Sequence, residues 1–268
     1  MNKLALFSVP RSGSSWLGEI INSSPEVIYK FQPNFAYTFE PALQENSTMD
    51  EIDNFFHKLY LCKDEFVNGQ LSISGEKRNL NFLKHKESIL FFKETHFLNV
   101  IENLLKFSNT KVIGLVRSPF AVLNSWINIP KEFDPSWSVK NEWKYAELKN
   151  KGKNSHFFGY HKWKQVCFLF LRLKKEYPDQ FYLINYDDLL SNPISEVKQL
   201  FEFSKLEYSD QTNTFLKKST SFQSIDAYSV FKQKKNDMEW KKTLPSFIEH
   251  EIKEDEDFNA LNTIFKWI

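Results

Sequence analysis

Cysteine is scarce in this 268-residue sequence, which contains only Cys62 and Cys167. The two are far apart in the chain and no CxxC pair occurs, which excludes a disulfide-rich secreted fold. Glycine is also infrequent, with 7 residues, so the few glycines at turns are informative. From the cysteine content we expect a reducing compartment, namely the cytoplasm.

The sequence also lacks an excess of charge of either sign, since 35 Lys and Arg balance 34 Asp and Glu to give a formal net charge of +1. That balance excludes bulk electrostatic attraction as the route to nucleic acid or a membrane, so any anion site must be local. No apolar run approaches the length of a membrane span. The first run, residues 4–9, is too short for a signal peptide. We therefore expect a soluble protein without a nucleic-acid partner.

A turn rich in serine follows this first apolar run, in the stretch FSVPRSGSSW at residues 7–16. Residues 4–9 have the composition of a buried strand, a helical pattern begins at Trp16, and Gly13 lies between them. Such a turn directs backbone N–H groups and a helix N-terminus at an anion. Further donors are the side chains of Arg11, Ser12, Ser14 and Ser15. The turn lacks the GK[ST] ending of nucleoside-triphosphate P-loops, which argues against an ATPase.

Four short apolar runs, each followed by a segment with helical periodicity, predict the fold class. They are residues 4–9, 89–92, 111–116 and 181–185. This alternation predicts a single α/β domain over residues 1–268, with a mostly parallel sheet flanked by helices. Residues of about 31–86 and 127–161 do not fit the alternation. We expect them to be helical and loop insertions that form substrate walls or a cover.

A second candidate anion site lies in KVIGLVRSPFAVLNSWI at residues 111–127. Arg117 follows a predicted strand, Ser118 and Pro119 suit a helix start, and Ser125 lies two helical turns after Ser118. Arg117 and Ser125 are therefore placed to grip a second phosphate. Taken alone, the stretch favours a simpler alternative, in which Arg117 pairs with an acidic neighbour and Ser125 has no special role.

Several stretches, in chain order, resemble the motifs of sulfotransferases that use 3′-phosphoadenosine 5′-phosphosulfate (PAPS). PRSGSSW resembles their 5′-phosphosulfate loop, and RSPFAVLNSW resembles their 3′-phosphate motif, an Arg followed eight positions later by a Ser. KETHFL resembles the Lys-Thr-His segment of cytosolic sulfotransferases, and YLINYDDLLSNP resembles their Tyr-Glu-Asp segment. TSF resembles an adenine-contacting patch, and FKQKKNDMEWKK resembles the basic loop that closes over the 3′-phosphate.

This resemblance implies a P-loop-like sulfotransferase fold and transfer of a sulfuryl group from PAPS to an acceptor hydroxyl or amine. No metal is implied. The donor-binding residues implied are Arg11, Ser12, Gly13, Ser14, Ser15, Trp16, Arg117, Ser125, Tyr186, Thr220, Phe222 and Lys234. The basic loop departs from the family pattern, because its Arg-Lys-Gly is replaced by Gln-Lys-Lys at residues 233–235.

For the chemical step, the resemblance implies that His96 is the general base that takes the acceptor proton. Glu94 is the alternative base, and Lys93 and Arg11 would stabilise charge on the leaving oxygen. RSGSSWLGEIINSSPEVIYKFQP also resembles the start of carbohydrate sulfotransferases, in which a Glu occupies the place of Gln32. Gln32 cannot act as a base, so Glu40 is the candidate for a displaced equivalent.

Two other functions remain open at this point, a P-loop kinase that uses ATP and a non-catalytic nucleotide or polysaccharide binder. The acceptor is expected to be a small molecule or a carbohydrate, and the second resemblance favours a sugar hydroxyl. The sequence does not predict an oligomeric state.

Overall fold

The computed structural model describes residues 1–40, 42–71, 80–85, 87–221 and 236–268. Within them five strands form one all-parallel sheet in the order β2-β3-β1-β4-β5. The strands are β1 (Asn2–Phe7), β2 (Val27–Phe31), β3 (Ile89–Glu94), β4 (Lys111–Val116) and β5 (Phe181–Asn185). The predicted α/β class with a parallel sheet is confirmed.

Helices cover both faces of this sheet. They are α1 (Ser14–Asn22), α2 (Met49–Leu61), α3 (Ile101–Phe107), α4 (Pro119–Ile127), α5 (Val139–Tyr145), α6 (Glu147–Asn150), α7 (Tyr160–Glu176), α8 (Tyr186–Ser191), α9 (Pro193–Ser204), α10 (Asp210–Ser221), α11 (Trp240–Thr243), α12 (Ser246–Glu254) and α13 (Glu256–Phe265). A 3₁₀ turn, Leu98–Val100, precedes α3. In the described part of the chain no helix combines the length and apolarity needed to cross a membrane.

The alternation of side chains along the strands divides the interior into two apolar cores. Leu4 and Leu6 of β1 pack with α1, α9 and α10, whereas Ala5 and Phe7 pack with α2, α3, α4 and α7. Because successive strand residues point to opposite faces, a strand covered on both faces is apolar at nearly every position. The domain therefore has three layers, helices on either side of a buried sheet.

The strand β2 was missing from the sequence prediction. Its sequence VIYKF contains Lys30, which interrupts the apolar run but is nonetheless only 3% exposed. The Lys30 ammonium is buried because Nζ donates to the carbonyl of Cys62 at 2.9 Å and to Oδ1 of Asn68 at 2.6 Å. These two partners lie far from Lys30 in the sequence, so local pattern alone gave no indication of them.

Two of the predicted strands also have different bounds in the structure. The first strand ends at Phe7 rather than at residue 9, because Ser8 and Val9 already belong to the turn that precedes α1. The third strand continues past residue 92 and includes Lys93 and Glu94. The second difference places two candidate site residues, Lys93 and Glu94, at the carboxyl end of β3.

The order of the strands positions the site. The chain leaves β1 toward β2 and β3 on one side and then crosses to β4 and β5 on the other. In open parallel sheets, ligands bind outside the carboxyl ends of the strands at such a reversal. The residues that follow β1, β3 and β4 therefore converge on one crevice.

Candidate functional site

The turn after β1 leaves several hydrogen-bond donors available at the start of α1. Gly13 has φ 90° and precedes the helix, and its carbonyl accepts from the backbone N–H groups of Trp16 and Leu17. Among the described residues, the N–H groups of Ser14 and Ser15 have no backbone partner. A helix N-terminus with free N–H groups attracts an anion.

Two buried hydroxyls near this turn fit the same ligand. Ser12 is fully buried, and its Oγ has no hydrogen-bond partner in the part of the chain that the structure describes. Ser118 lies at the N-cap of α4, yet its Oγ makes no cap hydrogen bond and is likewise without a partner there. A buried hydroxyl without a partner is costly, so both side chains suit a bound phosphate group.

Tyr186, the first residue of α8, packs its ring against Gly13 of the turn. A Cβ built at Gly13 would lie 2.4 Å from Cε2 of Tyr186, so the ring fills the space that any other residue would need. The ring also packs edge-on against Trp16, with centroids 5.9 Å apart, and lies 4.7 Å from the Arg117 guanidinium. Burial raises the pKa of Tyr186 to about 12. The structure thus brings together four residues that the sequence prediction had assigned to the donor site.

Arg117 joins the first and second candidate anion elements. It follows β4, is 7% exposed, and donates from Nη1 to the carbonyl of Arg11 at 2.6 Å. Its other two nitrogens donate to Asp237, Nε to Oδ2 at 2.6 Å and Nη2 to Oδ1 at 2.5 Å. Burial lowers the pKa of the guanidinium, but the Asp237 carboxylate outweighs burial and raises it. Arg117 therefore stays charged.

The side chain of Arg11, and not that of Arg117, contacts Ser125. Arg11 has a left-handed backbone with φ 69° and donates from Nε to Ser125 Oγ at 3.1 Å. Its Nη1 donates to Oε1 of Glu132 at 3.3 Å. Left-handed backbone at a residue other than glycine is uncommon and concentrates at functional sites. Arg11 is thus held between the turn after β1 and the far end of α4.

A buried polar chain lies at the end of β3. Lys93 is 2% exposed, with Nζ over the Phe31 ring at 4.4 Å and donating to Oε1 of Gln32 at 3.2 Å. The hydroxyl of Thr95 donates to the same Gln32 oxygen at 2.7 Å. Nδ1 of His96 lies 3.4 Å from Oγ1 of Thr95. Lys93 and His96, two of the predicted catalytic residues, are therefore linked through two residues that were not predicted.

His96 lies in a mostly aromatic enclosure that keeps its ring neutral. Its ring stacks on Phe35 with centroids 4.7 Å apart and meets His156 edge-on at 5.1 Å. Burial, together with the neighbouring His156, Lys93 and Lys149, lowers the pKa of His96 to about 3. A neutral imidazole has one bare nitrogen and is in the form required of a base at neutral pH.

Glu94, the alternative base, is buried in a setting that favours its protonated form. It is fully buried, and Oε2 accepts from the backbone N–H of Asn34 at 3.0 Å. Within the described ranges Oε1 has no hydrogen-bond partner. Burial raises the pKa of Glu94 to about 8, although nearby Lys93 and backbone N–H groups act in the other direction. A carboxyl group that is protonated at neutral pH does not accept a proton there, which favours His96 over Glu94.

The predicted adenine-binding residues are only partly covered by the structure. Trp16 donates from Nε1 to Oγ of Ser219 at 2.9 Å, which ties α1 to α10. Thr220 is next on α10, and its hydroxyl donates to the carbonyl of Leu216 at 2.9 Å. Phe222 and Lys234 lie outside the described residues. Glu40, the candidate displaced base, is exposed.

The sequence analysis missed five residues of this site: Gln32, which it considered only as a base, and four others. Asp237 lies within the FKQKKNDMEWKK stretch, where the basic residues and the tryptophan carried the resemblance. Thr95 lies inside the KETHFL stretch but was assigned no role. Glu132 and His156 belong to residues 127–161, where the sequence matched no motif. Only tertiary contact shows that these residues reach the site.

Comparison with solved structures supports the fold. Mouse sulfotransferase SULT7A1, in complex with PAP, aligns with a TM-score of 0.57 at 14% identity, over 98% of this chain and 88% of its own. The sulfotransferase domain of the Synechococcus PCC 7002 olefin synthase aligns with a TM-score of 0.53 at 17% identity, over 100% and 95%. Retinol dehydratase, in complex with androsterone and PAP, aligns with a TM-score of 0.56 at 12% identity, over 97% of this chain and 80% of its own.

The sequence itself gives the family assignment. No curated protein matches this sequence. Its residues 2–267 match the profile of the sulfotransferase domain, which covers all five strands and both candidate anion elements. The resemblance found in the sequence is confirmed, and the chain belongs to the sulfotransferase domain family.

Proposed function

We propose that this sulfotransferase takes its sulfuryl group from PAPS and transfers it to an acceptor hydroxyl, with His96 as general base. The observation that carries the proposal is the contact between the two anion elements, Arg117 Nη1 to the Arg11 carbonyl at 2.6 Å. PAPS has phosphate at its 5′ end and at its 3′ position, so it needs two adjacent cationic sites. The two elements come from separate βα units and meet in the crevice at the strand reversal.

The residues present fit this donor. The N–H groups at the start of α1, the Ser12 hydroxyl and Arg11 would hold the 5′-phosphosulfate. Arg117 and Ser118 would hold the 3′-phosphate, with Arg117 offering the planar fork that binds phosphate through two hydrogen bonds. Mouse SULT7A1 and retinol dehydratase, which share the fold, were solved with PAP.

In the proposed reaction the acceptor oxygen attacks sulfur, and the bond between sulfur and the bridging oxygen of the donor breaks. The acceptor proton passes to Nε2 of His96. The bridging oxygen leaves with the 5′-phosphate as 3′-phosphoadenosine 5′-phosphate (PAP). Its developing negative charge is stabilised by Arg11 and by the N-terminus of α1. Most of the protein's contribution is thus positioning and neutralisation of charge.

The low pKa of His96 in the free protein is consistent with this role. Burial and nearby cations keep the ring neutral. Binding of the multiply anionic donor favours the protonated ring, and so raises its pKa toward the range in which it accepts a proton. Glu94 in its protonated form would instead anchor the loop after β2, through the backbone N–H of Asn34.

The acceptor belongs to a ring compound, and a carbohydrate is our first choice. Phe35 stacks on His96, and Tyr37 lies on the same loop with its ring 6.3 Å from Phe35. Tyr37 is 98% exposed. An exposed aromatic ring next to Phe35, the residue that stacks on the proposed base, suits a sugar ring or another flat molecule.

Binding of PAP tests the proposed donor. Saturating PAP should raise the melting temperature of the protein, and Arg11→Ala and Arg117→Ala should each abolish most of the rise. AMP and ATP with magnesium are run as competitors, because a kinase would prefer ATP. No shift with PAP, or a larger one with ATP and magnesium, would contradict the proposal.

Turnover with labelled PAPS and a panel of sugars, phenols and amines tests the reaction itself. We expect labelled product with at least one hydroxyl acceptor and a loss of about 100-fold or more in His96→Gln. Nucleotide binding without turnover on any acceptor would instead favour a non-catalytic binder.

A further inference from the structure

We propose that Gln32 and Thr95 are positioning residues that hold His96 in the tautomer with its proton on Nδ1. Nε2 is then the nitrogen that receives the acceptor proton. This inference rests on the proposed function of His96 as the base and adds the residues that make the ring ready for that role. It also gives a role to Gln32, which cannot itself take a proton.

The Lys93 ammonium fixes the orientation of the Gln32 amide. The two ends of an amide are hard to tell apart by shape, and their hydrogen-bond partners decide between them. The Lys93 ammonium has only protons to donate, and it lies 3.2 Å from the atom assigned as Oε1 of Gln32. That atom must therefore be the oxygen.

The second step is the direction of the Thr95 hydroxyl. An amide oxygen only accepts hydrogen bonds, so at 2.7 Å from Gln32 Oε1 the single proton of Thr95 points at Gln32. Toward its other neighbour Thr95 Oγ1 can then only accept. That neighbour is Nδ1 of His96, at 3.4 Å.

The third step is the tautomer of the imidazole. A neutral ring has one N–H and one bare nitrogen, and the bond made by one nitrogen determines which it is. With Thr95 as an acceptor, Nδ1 carries the proton and Nε2 is bare. The contact is long, but the two neutral tautomers lie close in free energy, so a weak bond biases them.

The backbone holds Gln32 at the centre of this chain. Its N–H donates to the carbonyl of Lys93 at 2.8 Å, and its φ is 44°, in the left-handed region. Gln32 is 2% exposed and is the residue directly after β2. An uncommon backbone conformation that is held by a neighbouring strand is typical of positioning residues at functional sites. The Phe35 ring, which stacks on the imidazole, keeps the plane of His96 in place.

The test compares variants that keep or remove each acceptor. Thr95→Val removes the acceptor of the His96 proton, and Thr95→Ser keeps it. Gln32→Leu frees the Thr95 hydroxyl to rotate and donate to His96. Gln32→Glu retains an oxygen that accepts from both Lys93 and Thr95. Nitrogen-15 spectra of the histidine-labelled full-length chain report the tautomer directly, and His96→Gln assigns the His96 signals among the six histidines.

We expect the wild-type protein, Thr95→Ser and Gln32→Glu to show a protonated Nδ1 and a bare Nε2 at His96. Thr95→Val and Gln32→Leu should show a mixture or the opposite tautomer. Turnover should fall in these two variants in proportion to the lost tautomer, by about 2-fold for an equal mixture and by about 10-fold where the opposite tautomer predominates, with KM for PAPS within about 2-fold. An unchanged rise in melting temperature with PAP shows that they are folded.

A protonated Nε2 in the wild-type protein would overturn the inference. So would a loss of turnover in Thr95→Val with the tautomer unchanged, because that result means a purely structural role. The spectra are recorded without nucleotide, so the tautomer that they report does not depend on whether PAPS is the donor. Failure of PAP to bind would refute the proposed function, whereas the tautomer result is independent of it.

Discussion

Asp237 engages Arg117 through both oxygens of its carboxylate, at 2.5 and 2.6 Å from two guanidinium nitrogens. Both side chains are buried, with Arg117 7% and Asp237 6% exposed. This is the planar, two-bond geometry in which a guanidinium binds carboxylate or phosphate. Since we assign the same edge of Arg117 to the 3′-phosphate of the donor, the carboxylate occupies the place of that phosphate. Binding of the donor must therefore displace Asp237.

Asp237→Asn should bind PAP more tightly than the wild-type protein, by about 10-fold. The neutral amide is more easily displaced and does not repel the incoming phosphate. The same change should lower the free energy of unfolding of the ligand-free protein by about 2 kcal/mol, because the buried Arg117 loses its charged partner. Calorimetric titration with PAP and urea denaturation measure the two effects.

AMP, which lacks the 3′-phosphate, is the control ligand. Its affinity for Asp237→Asn should be within about 2-fold of its affinity for the wild-type protein. Glu239→Gln is the matched variant, because it removes one negative charge from an exposed position two residues away. PAP affinity that is unchanged or lower in Asp237→Asn would mean that Asp237 does not compete with the 3′-phosphate.

Gly13→Ala should abolish nucleotide binding and destabilise the protein by about 3 kcal/mol or more. The added Cβ would lie 2.4 Å from the Tyr186 ring, and the φ of 90° is itself strained for alanine. Gly152→Ala is the control, since Gly152 also has a left-handed φ, 68°, but no atom lies within 4 Å of its added Cβ. That variant should lose only about 1 kcal/mol, from the backbone alone. Equal losses in the two variants, measured by urea denaturation, would show that contact with Tyr186 is unimportant.

Trp16→Phe and Ser219→Ala should each weaken PAP binding by a similar factor of about 3 to 10. Each variant removes one partner of the hydrogen bond between Trp16 Nε1 and Ser219 Oγ, 2.9 Å long, which ties α1 to α10. A hydrogen bond of this kind contributes about 1 kcal/mol. The double variant should lose little more than either single one, as measured by titration with PAP. Fully additive losses would show that the two residues act separately.

The sequence predicted much of the fold because the information is local. The runs at residues 111–116 and 181–185 are apolar at nearly every position, and they coincide with β4 and β5. The strand β2 was not predicted because it contains Lys30, whose buried ammonium is hydrogen-bonded to acceptors that only the fold brings near. A pattern of side-chain polarity does not contain such long-range contacts.

The candidate site was predictable where the candidate phosphate-binding elements are continuous in sequence. Arg11, Gly13 and Arg117 each lie in a short motif and meet in the structure. Asp237 was not predictable, because its contact with Arg117 spans 120 positions in the sequence. The protonation states of His96 and Glu94 were also beyond the sequence, since burial sets both and burial is a property of the folded chain.

Glu94→Gln should stabilise the protein at high pH and have little effect at low pH. The folded pKa of Glu94, about 8, lies above the ordinary value of 4.5. Between those values unfolding releases a proton. The stability contributed by the protonated group is therefore fully present below pH 4.5 and is lost as pH rises through 8. Glutamine does not titrate, so its advantage over glutamate should grow by roughly 1 kcal/mol per pH unit in this window. Urea denaturation of both proteins at pH 5 and pH 8.5 measures the change, and a difference that is constant with pH would contradict it.

The same variant decides between the two candidate bases. Glutamine has the shape of protonated glutamate and provides an oxygen that can still accept from the Asn34 N–H, so turnover at pH 7 should stay within about 3-fold of wild type if Glu94 is only structural. Loss of a general base costs on the order of 100-fold or more, as we expect for His96→Gln. A loss of that size in Glu94→Gln, with His96→Gln still active, would make Glu94 the base and require its pKa to fall when the donor binds. The ratio of these two turnover rates therefore identifies which side chain accepts the proton.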